Sequence, residues 1–353
     1  MSQKRPKVLL AFNEDIRYNH VDPQDLSRLE AFADWDWFSC EGGGIYDTNT
    51  DPQAALDFSK ALPGNDALVV CLGAPTVTAD MLDAAPTLKI IGEMEGDRFA
   101  SRIDLDAAWA RGIRTVDTTN HSSYPVSEWA LALILVSLKN GAAHFRRMIA
   151  GQTRFDPTLM QGMQGLLWGR RVGLIGCGHM GRRLMKFLRA FETEIWVHDP
   201  YLPRELPEAL GFLQTSLEHV LSCDVVVCLV PHTPATEGML GEAELARLRP
   251  GAVFVSVSRG KVTDPDALIE RLKKGDIVAG LDVFNPEPVP SDSEILQLPN
   301  VFLSPHIGAF GGPAGQHGFF SLMVDELHRF FHGHETQFDL TPRVQANRTG
   351  ADP

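Results

Sequence analysis

The chain has 353 residues, of which 44% are hydrophobic and 22% are charged, and its formal net charge is −13. Because a single hydrophobic core usually stops growing at about 250–300 residues, this length predicts two domains. The ordinary composition excludes a fibrous or largely disordered protein. The excess of negative charge repels phosphate backbones and anionic lipid, which argues against nucleic acid or a membrane surface as a partner.

The cysteines and the apolar runs indicate the compartment. The five cysteines are odd in number, scattered and mostly placed inside apolar runs: Cys40, Cys71, Cys177, Cys223 and Cys228. That pattern is typical of reduced packing residues rather than of disulfides. The longest later apolar run, residues 129–138, is far shorter than the roughly 18 residues of a membrane span. We therefore expect a soluble, cytoplasmic protein.

Short apolar runs alternate with longer amphipathic stretches along most of the chain, which predicts an α/β fold with parallel sheets. The first series contains four predicted strands, at residues 7–12, 67–72, 88–91 and 113–117. A second series contains six predicted strands, at residues 171–175, 194–198, 225–230, 252–257, 278–282 and 301–303. We expect each series to form one doubly wound parallel sheet, the second with six strands.

Two turn-rich stretches separate the two series, at residues 118–125 and 308–313, and their Gly, Ser and Pro content suits hinges. The chain is therefore expected to cross between domains twice. This predicts one domain at residues 1–120 and 312–353, and the other at residues 121–311.

Two long helices and a polar tail complete the predicted elements. One helix covers residues 126–138, and an aromatic-rich helix at 314–331 returns to the first domain. The stretch 341–353 is polar with two prolines, so we expect it to fray or to lie on the surface. His332 and His334 have no third ligand at a suitable spacing, so no metal site is predicted.

The first strand of the second series runs directly into a glycine-rich turn, Gly176-Cys177-Gly178-His179-Met180-Gly181, and helical periodicity follows. In this GxGxxG pattern the first glycine permits a tight turn and the second allows close approach of a pyrophosphate. The third lets the helix pack on the strand, and the N–H groups at the helix start face the anion. The order of strand, turn, helix and second strand predicts a Rossmann NAD-binding domain.

Asp199 follows the second strand of this unit. A carboxylate there accepts hydrogen bonds from the adenosine ribose and repels the extra phosphate of NADP, so NAD is the expected cofactor. The alternative is that Asp199 only begins the turn Asp199-Pro200-Tyr201. Cys177 lies inside the phosphate turn, and we interpret it as a packing residue because no base is placed beside it.

Three candidate catalytic residues follow later strands: Arg259, Glu287 and His306. Open α/β sheets bind ligands at the carboxyl ends of their strands. Hydride chemistry with NAD needs a proton donor or acceptor, and usually a cation that holds the substrate carboxylate and polarises its carbonyl. Taken singly, Arg259 could belong to a surface ion pair, Glu287 to a turn and His306 to a loop. Together they indicate a catalytic set.

These motifs occur in the order and near the spacings of the D-isomer-specific 2-hydroxyacid dehydrogenases, a family that the chain resembles from about residue 74 to residue 331. The resemblance is carried by the glycine turn, Asp199-Pro200-Tyr201, Val230-Pro231 with Thr233-Pro234, Ser258-Arg259-Gly260, Leu281-Asp282-Val283-Phe284 with Glu287-Pro288, and Ser304-Pro305-His306. The family includes D-lactate, glycerate, glyoxylate/hydroxypyruvate and phosphoglycerate dehydrogenases. The resemblance implies a flavodoxin-like substrate domain in addition to the Rossmann domain.

The resemblance also implies residue roles. His306 would be the general acid when a 2-oxo acid is reduced and the base in the reverse reaction, with Glu287 bound to its other ring nitrogen. Arg259 would bind the substrate carboxylate and carbonyl oxygen. The implied cofactor contacts are His179 and Met180 at the pyrophosphate, Val230 and Pro231 on the adenine and ribose side, Val257 and Ser258, Asp282 at the nicotinamide amide, and also Arg259 and His306. The helix at 126–138 supports dimerisation in the family, which implies a homodimer.

The loop at residues 92–102 departs from the family pattern. In the family its backbone N–H groups bind the substrate carboxylate, which implies that Glu95 and Gly96 contact the substrate. Here the loop is longer than the usual version and contains three acidic residues, Glu93, Glu95 and Asp97. They oppose a dianionic substrate unless they point away or are compensated by Arg98 and Arg102. We therefore expect a hydroxylated, sugar-acid-like substrate rather than phosphoglycerate.

Two other functions fit part of the pattern. An NAD(H)-sensing regulatory protein on the same fold would use the glycine turn without a catalytic set. A dehydrogenase that oxidises an inorganic oxyanion would share the scaffold. The intact set of Arg259, Glu287 and His306 favours an NAD-dependent 2-hydroxyacid dehydrogenase.

Overall fold

The computed structural model describes residues 5–44, 48–96 and 100–349. The chain forms two compact units, Met1–Ser122 with Gly311–Pro353 and Ser123–Phe310. Each unit contains a sheet of parallel strands flanked by helices. The predicted α/β class with two doubly wound parallel sheets is confirmed.

The first unit has a five-stranded parallel sheet. Its strands are β1 (Lys7–Phe12), β2 (Asp34–Ser39), β3 (Ala67–Val70), β4 (Ile90–Glu93) and β5 (Arg114–Asp117), in the order β2-β1-β3-β4-β5. Its first helices are α1 (Glu14–Asn19), α2 (Pro23–Glu30), α3 (Pro52–Ala61), α4 (Ala79–Ala84) and α5 (Leu105–Ala110). This strand order is that of flavodoxin-like doubly wound sheets.

Strand β2 corrects the prediction of four strands in this unit. It lies at the edge of the sheet, pairs only with β1, and none of its residues is fully buried. Its sequence, DWDWFS, places acidic residues between aromatic ones. An edge strand needs no continuous apolar run, because one of its sides faces no neighbour.

The second unit has a seven-stranded parallel sheet. Its strands are β6 (Arg171–Ile175), β7 (Glu194–His198), β8 (Leu213–Gln214), β9 (Val225–Cys228), β10 (Val253–Ser256), β11 (Val278–Leu281) and β12 (Val301–Leu303), in the order β12-β11-β10-β9-β6-β7-β8. Its helices are α6 (Ser123–Leu138), α7 (Gly141–Ile149), α8 (His179–Arg189), α9 (Glu205–Leu210), α10 (Leu217–Leu221), α11 (Glu242–Leu245) and α12 (Pro265–Lys273).

Both faces of this sheet are covered, which explains the continuous apolar strands. In β9, Val225 and Val227 pack into one hydrophobic cluster, whereas Val226 and Cys228 pack into another. Strand β8 corrects the prediction of six strands. It has two exposed residues at the sheet edge and is too short to produce a recognisable pattern.

The long helices begin earlier than predicted. Helix α6 starts at Ser123, directly after a 3-10 turn at Thr119–Ser122, so much of the predicted hinge 118–125 is helical. Pro125 lies in the first turn of α6, where a missing N–H costs no hydrogen bond. Two further helices of the first unit are α13 (Gly312–Phe331) and α14 (Pro342–Thr349). Among the described helices, none combines the length and apolar character needed to cross a bilayer.

Helix α14 shows that residues 342–349 do not fray; several of them lie on the surface, the other outcome expected for this stretch, and residues 350–353 lie outside the described residues. The chain before it pairs with β5, since the Leu340 N–H donates to Thr115 O at 2.8 Å and the Asp117 N–H donates to Phe338 O at 2.9 Å. Arg348 in α14 forms an ion pair with the buried Asp117. These partners are more than 200 residues away in sequence, so the local polar composition carries no sign of them.

Candidate active site

The candidate catalytic and cofactor residues of the second unit gather at one edge of its sheet. Because all of its strands are parallel, the residues that follow β6, β7, β9, β10, β11 and β12 share the carboxyl edge. Strands β6 and β9 are neighbours, and the chain winds outward from them in opposite directions. Such a switch point opens a crevice at the carboxyl edge, where doubly wound sheets bind dinucleotides.

The glycine turn after β6 has the geometry that a pyrophosphate requires. Gly176 adopts φ +96°, which favours glycine. A Cβ at Gly178 would have no described atom within 4 Å, so the backbone there borders open space. A Cβ at Gly181 would lie 2.8 Å from Gly176 O, so only glycine allows α8 to pack this closely. The first N–H groups of α8 are therefore accessible to an anion.

Asp199 serves both the turn and the glycine loop. Its Oδ2 accepts a hydrogen bond from the Cys177 N–H at 2.9 Å, and its Oδ1 accepts one from the Tyr201 N–H at 3.0 Å. The turn Asp199-Pro200-Tyr201, which the alternative interpretation predicted, is therefore present. Each carboxylate oxygen has a second lone pair, so the same group is still able to accept from ribose hydroxyls.

Cys177 has the environment of a packing residue. Its side chain is 2% exposed. Burial raises the pKa of its thiol to about 11, and the nearby Asp199 carboxylate adds to the increase. A thiol with this pKa is protonated at neutral pH and is a poor nucleophile.

The other predicted cofactor contacts differ in exposure. His179 is exposed and Met180 is half-buried at the start of α8. Val230 adjoins the glycine turn, since its Cγ1 lies 3.0 Å from the position of a Cβ on Gly176. The Pro231 carbonyl accepts from Thr236 Oγ1 at 2.6 Å. Val257 and Ser258 are buried directly after β10.

His306 and Glu287 form a close pair. His306 Nδ1 lies 2.9 Å from Glu287 Oε2, and Glu287 Oε1 accepts the Phe284 N–H at 2.8 Å. The two side chains remain 30% and 35% exposed. His306 adopts φ +55°, a conformation uncommon for residues other than glycine and often found at functional sites. The contact through Nδ1 leaves Nε2 as the nitrogen able to exchange a proton with a substrate.

Asp282 lies beneath the loop that carries His306. Its carboxylate is 2% exposed and accepts hydrogen bonds from four groups. The donors to Oδ1 are Trp129 Nε1 at 3.2 Å, Ser304 Oγ at 2.6 Å and the Ile307 N–H at 3.0 Å, and the donor to Oδ2 is the Gly308 N–H at 2.8 Å. A Cβ on Gly308 would lie 2.8 Å from Oδ2, so this position requires glycine.

These contacts add a function for Asp282 that the sequence analysis missed. The residue fixes the backbone on the carboxyl side of His306, whereas the motif predicted only a contact with the nicotinamide. Trp129 and Ser304 were not singled out as partners. Ser304 lies within the Ser304-Pro305-His306 motif, which was the available signal, but the contribution of Trp129 depends on how α6 packs beside β11 and β12.

Arg259 follows β10, and its Nη1 donates to Ser258 O at 2.7 Å. The next residue, Gly260, packs against the loop that carries Glu287, because a Cβ there would lie 1.7 Å from Phe284 O. The same Phe284 donates its N–H to Glu287. The arginine loop and the glutamate loop are therefore in direct contact, and the geometry of one constrains the other.

The predicted substrate loop lies in the first unit, after β4, and its acidic residues have partners. Glu93 and Arg102 form an ion pair at 2.8 Å, and both side chains are 1% exposed. Glu95 Oε2 lies 2.8 Å from Nε2 of the buried His20. The Gly96 N–H donates to Thr119 Oγ1 at 3.1 Å. Asp97 and Arg98 lie outside the described residues. Within the described loop, acidic side chains are thus matched by basic ones.

In the described part of the chain, no group of three or more His, Cys, Asp or Glu side chains is arranged to hold a metal ion.

Comparison with known proteins identifies relatives. A family model described as "D-isomer specific 2-hydroxyacid dehydrogenase, NAD binding domain" matches residues 131–308. The chain is 35% identical over 247 residues to D-3-phosphoglycerate dehydrogenase of Methanocaldococcus jannaschii, covering 69% of this chain and 46% of that protein. It is 30% identical over 310 residues to glyoxylate reductase of Aeropyrum pernix, covering 86% of each.

The fold is also shared over nearly the full length with a solved structure. The NADPH-dependent glyoxylate/hydroxypyruvate reductase of Sinorhizobium meliloti, in complex with NADP and malonate, superposes with a TM-score of 0.63 at 26% identity and 98% coverage of each chain. The chain spans about half the length of the curated D-3-phosphoglycerate dehydrogenases that it matches. The matched family model and these relatives agree with one another, and the chain belongs to the D-isomer-specific 2-hydroxyacid dehydrogenase family.

Proposed function

We propose that this protein is an oxidoreductase that transfers a hydride between NAD(H) and C2 of a 2-hydroxy or 2-oxo acid. The observation that supports this most directly is the 2.9 Å contact between His306 Nδ1 and Glu287 Oε2 at the carboxyl edge of a sheet with a GxGxxG turn. An acid-base pair next to a dinucleotide turn is the minimum that such a reaction requires.

The residues present fit NAD(H). The open backbone at Gly178 and the first turn of α8 suit the pyrophosphate, and Asp199 suits the adenosine ribose. Val230 and Pro231, Val257 and Ser258, and Asp282 remain the proposed neighbours of the rest of the cofactor. The chemistry that NAD(H) supplies when bound is hydride transfer at its nicotinamide ring.

His306 has the proton role in this proposal. In the direction of reduction, its Nε2 donates a proton to the oxygen that becomes the hydroxyl at C2, and in oxidation it accepts that proton. The contact between Glu287 and Nδ1 fixes the orientation of the ring and leaves Nε2 for the substrate. The Asp282 network holds the peptide groups after His306, so the ring presents Nε2 in one orientation.

Arg259 has the substrate-binding role. A guanidinium presents several N–H donors in one plane, so it is able to bind the substrate carboxylate and the carbonyl oxygen together. Its positive charge also stabilises the charge that develops on that oxygen. Glu95 and Gly96 remain proposed substrate contacts.

We propose a hydroxylated 2-oxo acid, such as a sugar acid, as the substrate. Support comes from Glu95, whose carboxylate lies 2.8 Å from Nε2 of His20 and supplies a hydrogen-bond acceptor rather than a phosphate-binding cation. Glu93, which is paired with Arg102, does not bear on this choice. Steady-state assays with NADH and a panel of 2-oxo acids test both levels of the proposal. Better turnover of pyruvate or glyoxylate than of any hydroxylated acid would exclude the substrate class, and no oxidation of NADH with any member would instead favour an NAD(H)-sensing regulator.

Asp199 is expected to set the preference for NAD over NADP. Replacing it by asparagine, Asp199→Asn, removes the charge that repels the extra phosphate, so the preference in kcat/KM should fall by about 10- to 100-fold, as expected for one hydrogen bond to a charged group. The control is Glu208→Gln, which removes an exposed charge from α9 without touching the glycine turn. An unchanged preference in Asp199→Asn would remove Asp199 from cofactor selection.

We also propose a homodimer formed through the second unit. Helix α7 and the segment after it expose large apolar side chains that are costly to leave in water: Phe145 (53%), Met148 (56%), Ile149 (88%), Phe155 (71%) and Trp168 (61%). Sedimentation is expected to give twice the chain mass for the wild type and the chain mass for Ile149→Glu. A wild-type monomer would contradict this proposal.

A further inference from the structure

The C-terminal helix α14 inserts one charged side chain into the first unit. The Arg348 side chain is 11% exposed, and its Nη1 donates to Oδ2 of Asp117, whose side chain is fully buried at the end of β5. A buried carboxylate requires a counter-ion or several donors, because burial removes it from water. Arg348 supplies that charge for Asp117.

Asp117 in turn fixes the backbone of Thr119, two residues later in the chain. Its Oδ1 accepts the Thr119 N–H at 2.8 Å. The Thr119 side chain in turn accepts the Gly96 N–H at 3.1 Å through Oγ1. Thr119 is 6% exposed and Gly96 is buried, so water does not readily replace either partner. Contacts thus run without interruption from Arg348 to the loop after β4.

Thr118 strengthens the same connection. Its N–H donates to Glu93 O at 2.9 Å, and its Oγ1 donates to Met94 O at 3.0 Å. The segment 117–119 therefore holds the loop at Glu93, Met94 and Gly96. Glu95, the remaining residue of this stretch, directs its carboxylate to His20.

We propose that Arg348 is a positioning residue for the 2-oxo acid site, acting through Asp117 and Thr119 on the loop Met94–Gly96. The inference rests on the proposed function, in which Glu95 and Gly96 contact the substrate. Loss of the guanidinium leaves Asp117 buried without its counter-ion, and movement of Asp117 toward water carries Thr119 away from Gly96. The loop then loses its fixed conformation, whereas the cofactor residues, which lie in the other unit, keep theirs.

The first experiment compares Arg348→Ala with Arg348→Lys in steady-state assays with the best 2-oxo acid. In Arg348→Ala, we expect KM for the oxo acid to rise about tenfold or more while KM for NADH stays within about twofold and kcat within about threefold. Arg348→Lys retains the charge and should recover part of the loss. The matched control is Arg343→Ala, which removes an exposed arginine from the same helix and should behave as wild type.

A second pair of variants leaves the ion pair between Arg348 and Asp117 intact. These variants test the connection from Thr119 to the loop even if Arg348→Ala fails to fold. Thr119→Val removes the acceptor for the Gly96 N–H and should raise KM for the oxo acid, whereas Thr119→Ser keeps the hydroxyl and should not. The double variant Arg348→Ala/Thr119→Val should be no worse than the poorer single variant, because both act on one path.

The other possible results contradict either the positioning role of Arg348 or the proposed function. An unchanged KM for the oxo acid in Thr119→Val overturns the positioning role of Arg348. So does a general defect in Arg348→Ala, in which kcat falls and the KM values for the oxo acid and for NADH rise together. Absence of turnover with every 2-oxo acid in the wild-type protein overturns the proposed function and, with it, this inference. The wild-type assay therefore separates the two failures.

Discussion

Replacing His306 by alanine is expected to lower kcat by about 10²- to 10⁴-fold, the range by which a positioned general acid or base accelerates a reaction. The imidazole is the group placed to exchange a proton at the substrate oxygen, and alanine removes both the proton and the contact with Glu287. NADH affinity, measured by fluorescence titration, should stay close to that of the wild type, because the glycine turn and Asp199 do not contact His306.

Two further variants sharpen this prediction. Glu287→Gln keeps the size of the side chain but replaces the charged acceptor beside Nδ1 with an amide, which weakens the hydrogen bond that orients the ring, so its kcat should lie between those of the wild type and His306→Ala. His219→Ala serves as the control, because His219 lies on α10, which precedes β9 and so belongs to the opposite edge of the sheet. Wild-type turnover by His306→Ala would exclude the histidine from the chemistry.

Replacing Arg259 by lysine is expected to lower kcat/KM for the oxo acid by about 10- to 100-fold, since one hydrogen bond between charged groups contributes about 1.5–3 kcal/mol. Lysine keeps the charge but not the planar set of donors. Arg259→Ala should lose more, through both a higher KM and a lower kcat, because Arg259 acts on the ground-state carboxylate and on the developing oxyanion.

The control for Arg259 is Arg247→Lys. Arg247 is an exposed arginine that forms an ion pair with Glu218 and lies before β10 rather than after it. Its variant should retain wild-type kinetics. Equal activity of Arg259→Lys and the wild type would show that bidentate binding is not used, and equal activity of Arg259→Ala would remove Arg259 from the site altogether.

Most of the parallel strands could be predicted with accuracy from the sequence. Strands β1, β6, β7 and β12 occupy the predicted residues, and β9, β10 and β11 begin at or within one residue of the predicted start. Buried parallel strands are apolar on both faces, so they appear as continuous runs. Two of the edge strands, β2 and β8, lack such a run and were missed, whereas the edge strands β5 and β12 were predicted.

The sequence by itself also determined which chemical groups are available. The GxGxxG turn between a strand and a helix and the order of Arg259, Glu287 and His306 depend on local backbone and chain order. Parallel strands necessarily bring their carboxyl ends to one edge, so the grouping of these residues follows from the pattern.

Only the tertiary structure decided which partner each charged group has. The counter-ion of Asp117, the histidine beside Glu95 and the Trp129 donor to Asp282 come from distant parts of the chain, and Arg348 lies more than 200 residues from Asp117. Arg102, the counter-ion of Glu93, lies in the same loop and is one of the two compensating arginines expected from the sequence. Burial makes these pairings necessary, because a charge removed from water must be matched, but many residues of the right charge are available in the chain. The fold determines which of them pair, and it connects Arg348 in the C-terminal helix to the acidic loop after β4 through Asp117 and Thr119.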